Sequence, residues 1–404
     1  MRAANVIVIV IVIVNALACS NVTFPDGANW PTPSVPAFSR SPRLAITDDG
    51  ENDLAIVSTS PMPSLLTYAP VGLSPVQNQG PHHLAASPDG KTLYVNLSNF
   101  APGSGSGPSG FTGTGALPGW LLAIDAATYA RTGLVQLDRD PGDVVLSRDG
   151  KTAFVSHYDL LRLQDQLTKG LPEEQGFSTV AVVDTAAMKE TAAIPVCATA
   201  HGLALSADEK TLYVACSLAD QIAVVDLAAR AAVRVPLGND AGPVGQPNLF
   251  PYALARSPSD GAIWISCNGA SGISGWAGLR VFDPQKGAID PSRQLALTGV
   301  AMFGDWLPDG KTLVVPHQGD DKISLVDTTS STEIATISLP DMACLRAHMV
   351  RVAAGGAGGW LVCEGDHVAR RGSLVTLDLQ ARTVVGWVEV GLFSDGVVAL
   401  PPAP

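Results

Sequence analysis

The stretch Ser87-Pro88-Asp89-Gly90-Lys91-Thr92-Leu93-Tyr94-Val95 recurs in close copies along the chain, and this repetition decides the fold. Pro favours the first corner of a tight turn, Asp hydrogen-bonds its own backbone, and Gly adopts the positive φ that reverses the chain. Each copy therefore predicts a β-hairpin. The clear copies are Ser147–Val155, Ser206–Val214 and Leu307–Val315, with weaker echoes at Thr47–Gly50 and Ser257–Gly261.

A second signature supports a repeat protein built from β-strands. Apolar runs closed by Asp predict a third strand that ends in a turn, and they occur at Leu122–Asp125, Val182–Asp184, Val224–Asp226, Arg280–Asp283, Leu325–Asp327 and Thr376–Asp378. Self-similarity over tens of residues, with β signals in every copy, is typical of propellers and solenoids. Alignment of the hairpins gives seven units, which begin near Pro42, Pro81, Pro141, Ala198, Pro251, Val300 and Cys344.

We therefore predict an all-β chain in which residues 42–404 form a seven-bladed β-propeller of four-stranded antiparallel blades. The C-terminal stretch at 394–404 resembles a first strand without its hairpin partner, and we expect it to return to the first blade and close the ring. Two insertions, at 101–118 and 160–176, are either surface loops or the rim of a binding face. The second contains a predicted short helix, Leu161–Thr168.

The hairpin, the Leu-Tyr-Val second strand and the Val-Val-Asp third strand resemble the YVTN family of β-propeller repeats, a WD40-like architecture. The resemblance runs from about Pro42 to the C-terminus, although the Asn that closes the family tetrapeptide is replaced in most copies. It implies a propeller of the cell surface or envelope, similar in fold to amine dehydrogenase heavy chains and sugar lactonases. The motif is specific for architecture, and no activity follows from the fold alone.

Composition narrows the class of partner. The 404 residues include 40 Gly and 30 Pro, which suits many short strands joined by turns. The formal net charge of −12 argues against a nucleic-acid partner, because binding to phosphates depends on Lys and Arg.

The N-terminus predicts export. Arg2 precedes the Val/Ile run Val6–Val14, and this run is too short for a comfortable membrane span, so residues 1–18 read as a signal peptide. Leu17-Ala18-Cys19 resembles a bacterial lipobox, which predicts lipidation of Cys19, a flexible tether over 19–41 and anchoring at the outer membrane or periplasmic face. Ordinary cleavage after Ala18 also fits the small residues, and it would release a secreted or periplasmic protein.

The cysteines form two matching sets. Cys197, His201 and Cys216 recur with the same spacing as Cys344, His348 and Cys363. An oxidising compartment favours disulfides between Cys197 and Cys216 and between Cys344 and Cys363, with Cys267 as a free thiol. The alternative makes these Cys and His residues ligands of zinc or copper, but a fourth ligand is not evident in either set.

Four histidines are the candidate site. His82, His83, His201 and His348 precede innermost strands, where propeller side chains approach the mouth of the central channel, and Asp143 and Asp395 occupy similar places in other blades. The cluster could bind a metal or an anionic group of a cofactor. The favoured interpretation makes them hydrogen-bonded residues that fix the start of each strand, with no metal and no cofactor. No role is assigned to His157, His317 and His367, which follow second strands.

These observations favour a monomeric, non-catalytic lipoprotein of the cell envelope that binds a protein or a glycan through its loop face. The alternative is a site at the channel mouth that supports metal binding, lactonase-like hydrolysis or an amine-dehydrogenase-like role. A purely structural surface component is a third hypothesis. The hypotheses differ in one geometric expectation, because only the alternative requires the four His side chains to converge.

Overall fold

The computed structural model describes residues 43–60, 62–73, 78–99, 117–269 and 276–400. The predicted signal peptide, the tether led by Cys19, residues 101–116 of the first insertion and the last four residues lie outside this range.

The repeated hairpin is closed by side-chain hydrogen bonds that its sequence supplies. Ser87 Oγ accepts a hydrogen bond from the Thr92 backbone N–H at 3.0 Å and donates one to Asp89 Oδ1 at 2.7 Å. Asp89 Oδ1 also accepts from the Lys91 N–H at 3.1 Å, and Gly90 has a φ of 69°. The same side-chain bonds recur in the copies that begin at Ser147 and Ser206.

The described residues form seven antiparallel sheets, and this confirms the predicted all-β, seven-bladed propeller. We number the blades I to VII and the strands β1 to β30. Blade I contains β1 (Arg43–Asp48), β2 (Asp53–Ser58), β3 (Ser64–Pro70) and β30 (Ser394–Leu400). Blade II contains β4 (Pro81–Ala86), β5 (Thr92–Leu97), β6 (Pro118–Asp125) and β7 (Arg131–Arg139). Blade III contains β8 (Pro141–Leu146), β9 (Thr152–His157), β10 (Ser178–Asp184) and β11 (Lys189–Cys197).

The remaining blades follow the same order. Blade IV contains β12 (Ala200–Leu205), β13 (Thr211–Cys216), β14 (Gln221–Asp226) and β15 (Ala231–Pro236). Blade V contains β16 (Pro251–Arg256), β17 (Ile263–Cys267), β18 (Gly278–Asp283) and an outer strand in two pieces, β19 (Ala288–Ile289) and β20 (Leu295–Ala296). Blade VI contains a divided inner strand, β21 (Val300–Ala301) and β22 (Asp305–Trp306), then β23 (Thr312–Gln318), β24 (Lys322–Asp327) and β25 (Thr332–Ser338). Blade VII contains β26 (Ala347–Val352), β27 (Gly358–Cys363), β28 (Ser373–Asp378) and β29 (Thr383–Glu389).

The two ends of the described chain meet in blade I. Strand β30 pairs antiparallel with β1, where Ile46 lies opposite Val397, and it supplies the innermost strand of that blade. Strand β1 is therefore a second strand. As a result, the hairpin that contains Thr47–Gly50 joins the second and third strands of its blade, whereas the four close copies join the first and second strands.

The second insertion contains the predicted helix. Helix α1 spans Leu160–Lys169, which confirms the prediction of a helix at Leu161–Thr168. Asp159 caps its N-terminus by accepting a hydrogen bond from the Arg162 N–H at 3.1 Å, and Leu163 packs into the apolar core between blades III and IV. Short 3₁₀ turns occur at Glu173–Gly176, Ser217–Ala219 and Pro291–Arg293. Among the described helices, none has the length and apolar character needed to cross a membrane.

Candidate metal centre at the channel mouth

A bulge at the start of the inner strands builds the site. Pro81 pairs with Leu97 at the end of the second strand, and regular pairing resumes only at Leu84, so His82 and His83 lie in the bulge. Bulges re-aim side chains, and they are common beside functional sites. Equivalent irregularities follow Pro141, Ala200, Pro251, Ala347 and Ser394.

The equivalent bulge positions form one ring of side chains, which we call the mouth ring. In order around the propeller from blade I to blade VII, it consists of Asp395, His82, Gly142, His201, Tyr252, Met302 and His348. Asp395 is thus flanked by a histidine from each neighbouring blade.

The four candidate histidines converge. The ring centroid of His83 lies 4.4 Å from that of His82, 5.5 Å from that of His201 and 5.9 Å from that of His348. All four side chains are buried. The favoured interpretation from sequence did not expect this convergence, whereas the hypothesis of a site required it.

Gly142 allows two of these rings to meet across blade III. A Cβ atom at this position would lie 3.1 Å from Cδ2 of His201 and 3.2 Å from Oγ of Ser156. The space it leaves brings His82 Nε2 to 3.2 Å from His201 Nε2. Ring nitrogens this close share a proton or a cation.

Asp395 lies at the centre of two groups of potential ligands. Its Oδ2 is 2.6 Å from His82 Nδ1, and its Oδ1 is 3.0 Å from His348 Nδ1. Asp49 Oδ2 lies 3.4 Å from the same nitrogen of His82, and Glu364 Oε1 lies 2.6 Å from that of His348. The groups Asp49–His82–Asp395 and His348–Glu364–Asp395 each place three ligand atoms within 4.8 Å of one another.

Several of these close contacts are not directed as hydrogen bonds. Neither oxygen of Asp395 and neither oxygen of Asp49 has a hydrogen-bond partner, although both residues are almost fully buried. Buried polar groups in proteins are nearly always hydrogen-bonded. Two ligands of a tetrahedral zinc ion are about 3.3–3.6 Å apart, given metal–ligand distances of about 2.0–2.2 Å. Asp49 Oδ2 already lies 3.4 Å from His82 Nδ1, whereas the two contacts of 2.6 Å would have to lengthen on metal binding.

Burial and charge act in opposite directions on the pKa values of these groups. Burial favours neutral His348, but Asp395 and Glu364 outweigh it and raise its pKa to about 9. In His82 the same competition, won by Asp395 and Asp49, holds the pKa well above its usual value. Burial is the main reason that the pKa of Asp49 rises to about 7. For Asp395, the two neighbouring imidazoles overcome burial and hold the pKa well below its usual range.

A second histidine–carboxylate pair lies beside the ring. His83 Nδ1 is 3.1 Å from Asp143 Oδ1, and Asp143 Oδ2 accepts a hydrogen bond from the Leu203 N–H at 2.9 Å. Burial, then the charge on His82, lowers the pKa of His83 to about 4, so this imidazole is neutral at pH 7. Its Nε2 is buried and has no hydrogen-bond partner. Aromatic rings fill the rest of the mouth, with Tyr252 stacked on His201 at 4.0 Å.

Two ligand candidates were missed from the sequence. Asp49 and Glu364 directly follow second strands, whereas the candidate ligands predicted from the sequence precede first strands. Glu364 accepts hydrogen bonds from Gln318 Nε2 and, at 2.5 Å, lies against His367 Nε2, so His367 also belongs to the surroundings of the site. The sequence shows an acid directly after the second strand of each of these blades, but it does not show that the acid is buried.

The cysteine predictions are confirmed. Cys197 is bonded to Cys216 and Cys344 to Cys363, and Cys267 is a buried free thiol. These four sulfurs are thereby excluded as thiolate ligands of a metal. Because Cys216 pairs with Ala200 and Cys363 with Ala347, each disulfide lies next to a strand start that carries a mouth-ring histidine.

Comparisons with known proteins support the fold and leave the function open. No family model matches the chain, and no curated protein sequence matches it, so membership of the YVTN family stays a prediction. Hydrazine synthase from Kuenenia stuttgartiensis is similar in structure, with 19% identity and a TM-score of 0.61, over 82% of this chain and 99% of that chain. The periplasmic gluconolactonase of Pseudomonas aeruginosa has 18% identity and a TM-score of 0.61, over 90% of this chain and 99% of the other. Apo AztD from Citrobacter koseri has 14% identity and a TM-score of 0.53, over 90% and 99% of the two chains. At these identities the similarity concerns the propeller alone.

Proposed function

We propose that this protein is an exported metal-binding propeller whose mouth ring holds a divalent transition-metal ion. The observation that carries the proposal is the Asp49–His82–Asp395 group, in which two buried carboxylates surround one imidazole nitrogen and accept no hydrogen bonds. Mixed imidazole and carboxylate ligands suit zinc and its neighbours in the first transition series.

Protonation of the histidines alone balances the negative charge of the carboxylates less completely than a bound metal ion would. Protonated His82 and His348 balance the charges of Asp395 and Glu364, which leaves Asp49 as the carboxyl group without a histidine of its own, and burial raises its pKa to about 7. An ion among the three ligands would satisfy Asp49, Asp395 and His82 together. His82 would then ligate through Nδ1 and turn its Nε2–H toward His201, the kind of outer contact that orients metal-bound histidines.

The number of ligands matters for what the ion could do. Three protein ligands leave a fourth coordination position of a tetrahedral ion free, which is the pattern of catalytic zinc sites, whereas structural sites are closed by four protein ligands. The absence of a fourth ligand, which counted against a metal at the cysteines, therefore fits a site of the open kind at the mouth ring.

Zinc titration of the mature protein, purified without chelators, tests the proposal. Asp49→Asn keeps the shape of the side chain but removes its charge, and we expect the zinc affinity to fall by roughly tenfold or more. Asp140→Asn is the matched control, since Asp140 is a buried acid near His82 outside both ligand groups, and its affinity should stay within about twofold of the parent. Equal zinc affinities in Asp49→Asn and Asp140→Asn, or no zinc binding by the parent, would contradict the metal hypothesis.

We also propose that the mature chain begins at a lipidated Cys19 in the cell envelope, where its loop face meets a protein or glycan partner. Two disulfides support export, because disulfides persist in oxidising compartments. Metabolic labelling with a fatty acid tests the anchor. Label should enter the parent chain and be absent from Cys19→Ala, and an unlabelled parent chain would instead favour ordinary cleavage after Ala18.

A further inference from the structure

We infer that the mouth ring holds two metal ions and that Asp395 bridges them. This inference rests on the proposed function and adds a second ion to it. The first ion would lie among Asp49, His82 and Asp395, and the second among His348, Glu364 and Asp395.

The orientation of Asp395 is the first argument. Its two oxygens face different blades, with Oδ2 near His82 of blade II and Oδ1 near His348 of blade VII. A carboxylate that bound a single ion through both oxygens would turn both of them toward one ligand group. A carboxylate with each oxygen in a separate group has the arrangement of a bridge between two ions.

The completeness of the second group is the next argument. It contains one imidazole nitrogen and two carboxylates, the same donor types as the first group. His348, Glu364 and Asp395 are all fully buried. Glu364 Oε1 accepts a hydrogen bond from Gln318 and is hydrogen-bonded to His348 Nδ1 at 2.6 Å, while His367 contacts Oε2, so the orientation of Glu364 toward His348 is fixed before any ion arrives and an ion would replace the bond between these two ligands.

The charge of the ligands is the third argument. Asp49, Asp395 and Glu364 bring three carboxylates into one buried region. With neutral imidazoles, one divalent ion leaves the five ligands with a net charge of −1 and two ions leave them with +1, so the net charge alone does not decide the number of ions. Only the arrangement with two ions places a cation beside Glu364 as well as beside Asp49.

Zinc stoichiometry, measured by elemental analysis after gel filtration of the zinc-loaded protein, tests the number of ions. We expect two zinc ions per chain in the parent and in Asp140→Asn. Glu364→Gln and Asp49→Asn should each retain one ion, because each removes a ligand from a different group. Thermal unfolding of each variant verifies that it is folded before its metal content is interpreted.

Electron paramagnetic resonance of the copper(II)-loaded parent tests the bridge without any substitution. Two copper ions that share a carboxylate should give an exchange-coupled spectrum, and Glu364→Gln should convert it into the signal of an isolated ion. Two uncoupled signals would overturn the bridge. One ion per chain would overturn the pair and leave the proposed function standing, while no bound metal would overturn both.

Discussion

His317 shows how burial of a single residue affects the response to pH. It lies at the end of the second strand of blade VI, opposite Ala301, and neither of its ring nitrogens has a hydrogen-bond partner. Burial is the main cause that lowers its pKa to about 4; the charges of Asp320 and Glu333 oppose this effect, while the charge of Lys322 adds to it. The folded protein therefore keeps this imidazole neutral at pH values where an unfolded chain would protonate it.

Acidification should for this reason destabilise the parent more than His317→Gln. Between pH 6.5 and about 4, His317 binds a proton in the unfolded chain but not in the folded chain, so the free energy of unfolding falls as the pH falls. At 1.36 kcal/mol per pKa unit, the difference between the two proteins should change by up to about 3 kcal/mol across this window. Urea unfolding at a series of pH values measures it, and parallel pH profiles would contradict the assignment.

At the residue scale, the sequence predicted the positions of the four histidines and of Asp143 and Asp395, but it did not identify Asp49 and Glu364 as their partners. His82, His83, His201 and His348 were predicted at strand starts because the repeat fixes their position in each blade. Asp49 was read as part of an Asp-Asp-Gly turn, since a turn former and a metal ligand are the same residue type in a sequence. Which of the two roles applies depends on burial, and burial follows from the way three blades meet.

The repeated hairpin explains why the elements themselves were predictable. Its Ser, Asp and Gly residues close the turn through local hydrogen bonds, so the fold of this segment depends on few distant contacts. The fourth copy has Leu307 in place of Ser, and there Asp309 takes over the missing role by accepting a hydrogen bond from the Thr312 N–H at 2.8 Å. The weak echo at Thr47–Gly50 was less informative, because a turn sequence identifies a hairpin without saying which two strands of the blade it joins.

Strand β30 should be essential for closing the ring. Val397 is fully buried opposite Ile46, while Ala399 on the same strand is exposed. Val397→Asp places an unpaired charge in the core and should lower the free energy of unfolding by more than about 4 kcal/mol. Ala399→Asp adds the same charge to the same face of the strand, but two residues further along, where the side chain is exposed, and should change the free energy of unfolding by about 0.5 kcal/mol at most. Urea unfolding of both variants measures the effect, and similar losses would show that closure does not depend on the burial of Val397.

At the scale of the whole molecule, the blade count followed from the period of the sequence, but the site did not. The mouth ring takes one residue from each of seven blades, and Gly142 contributes by having no side chain. Its chemistry depends on which residues become neighbours around the propeller. The predicted return of the C-terminal strand to the first blade places Asp395 between the blades of His348 and His82, but the sequence does not show that their side chains converge.

The position of the ring closure gives the proposed ions a further consequence. Asp49 and Asp395 come from opposite ends of the described chain, and with His82, His348 and Glu364 they span blades VII, I and II, on both sides of the seam where β30 meets β1. A chain still being synthesised or threaded through a membrane lacks this combination of ligands. Metal would therefore bind only after β30 has paired with β1. Once bound, it would link the two ends of the described chain. Chelation should then destabilise the propeller first at the pairing of β30 with β1.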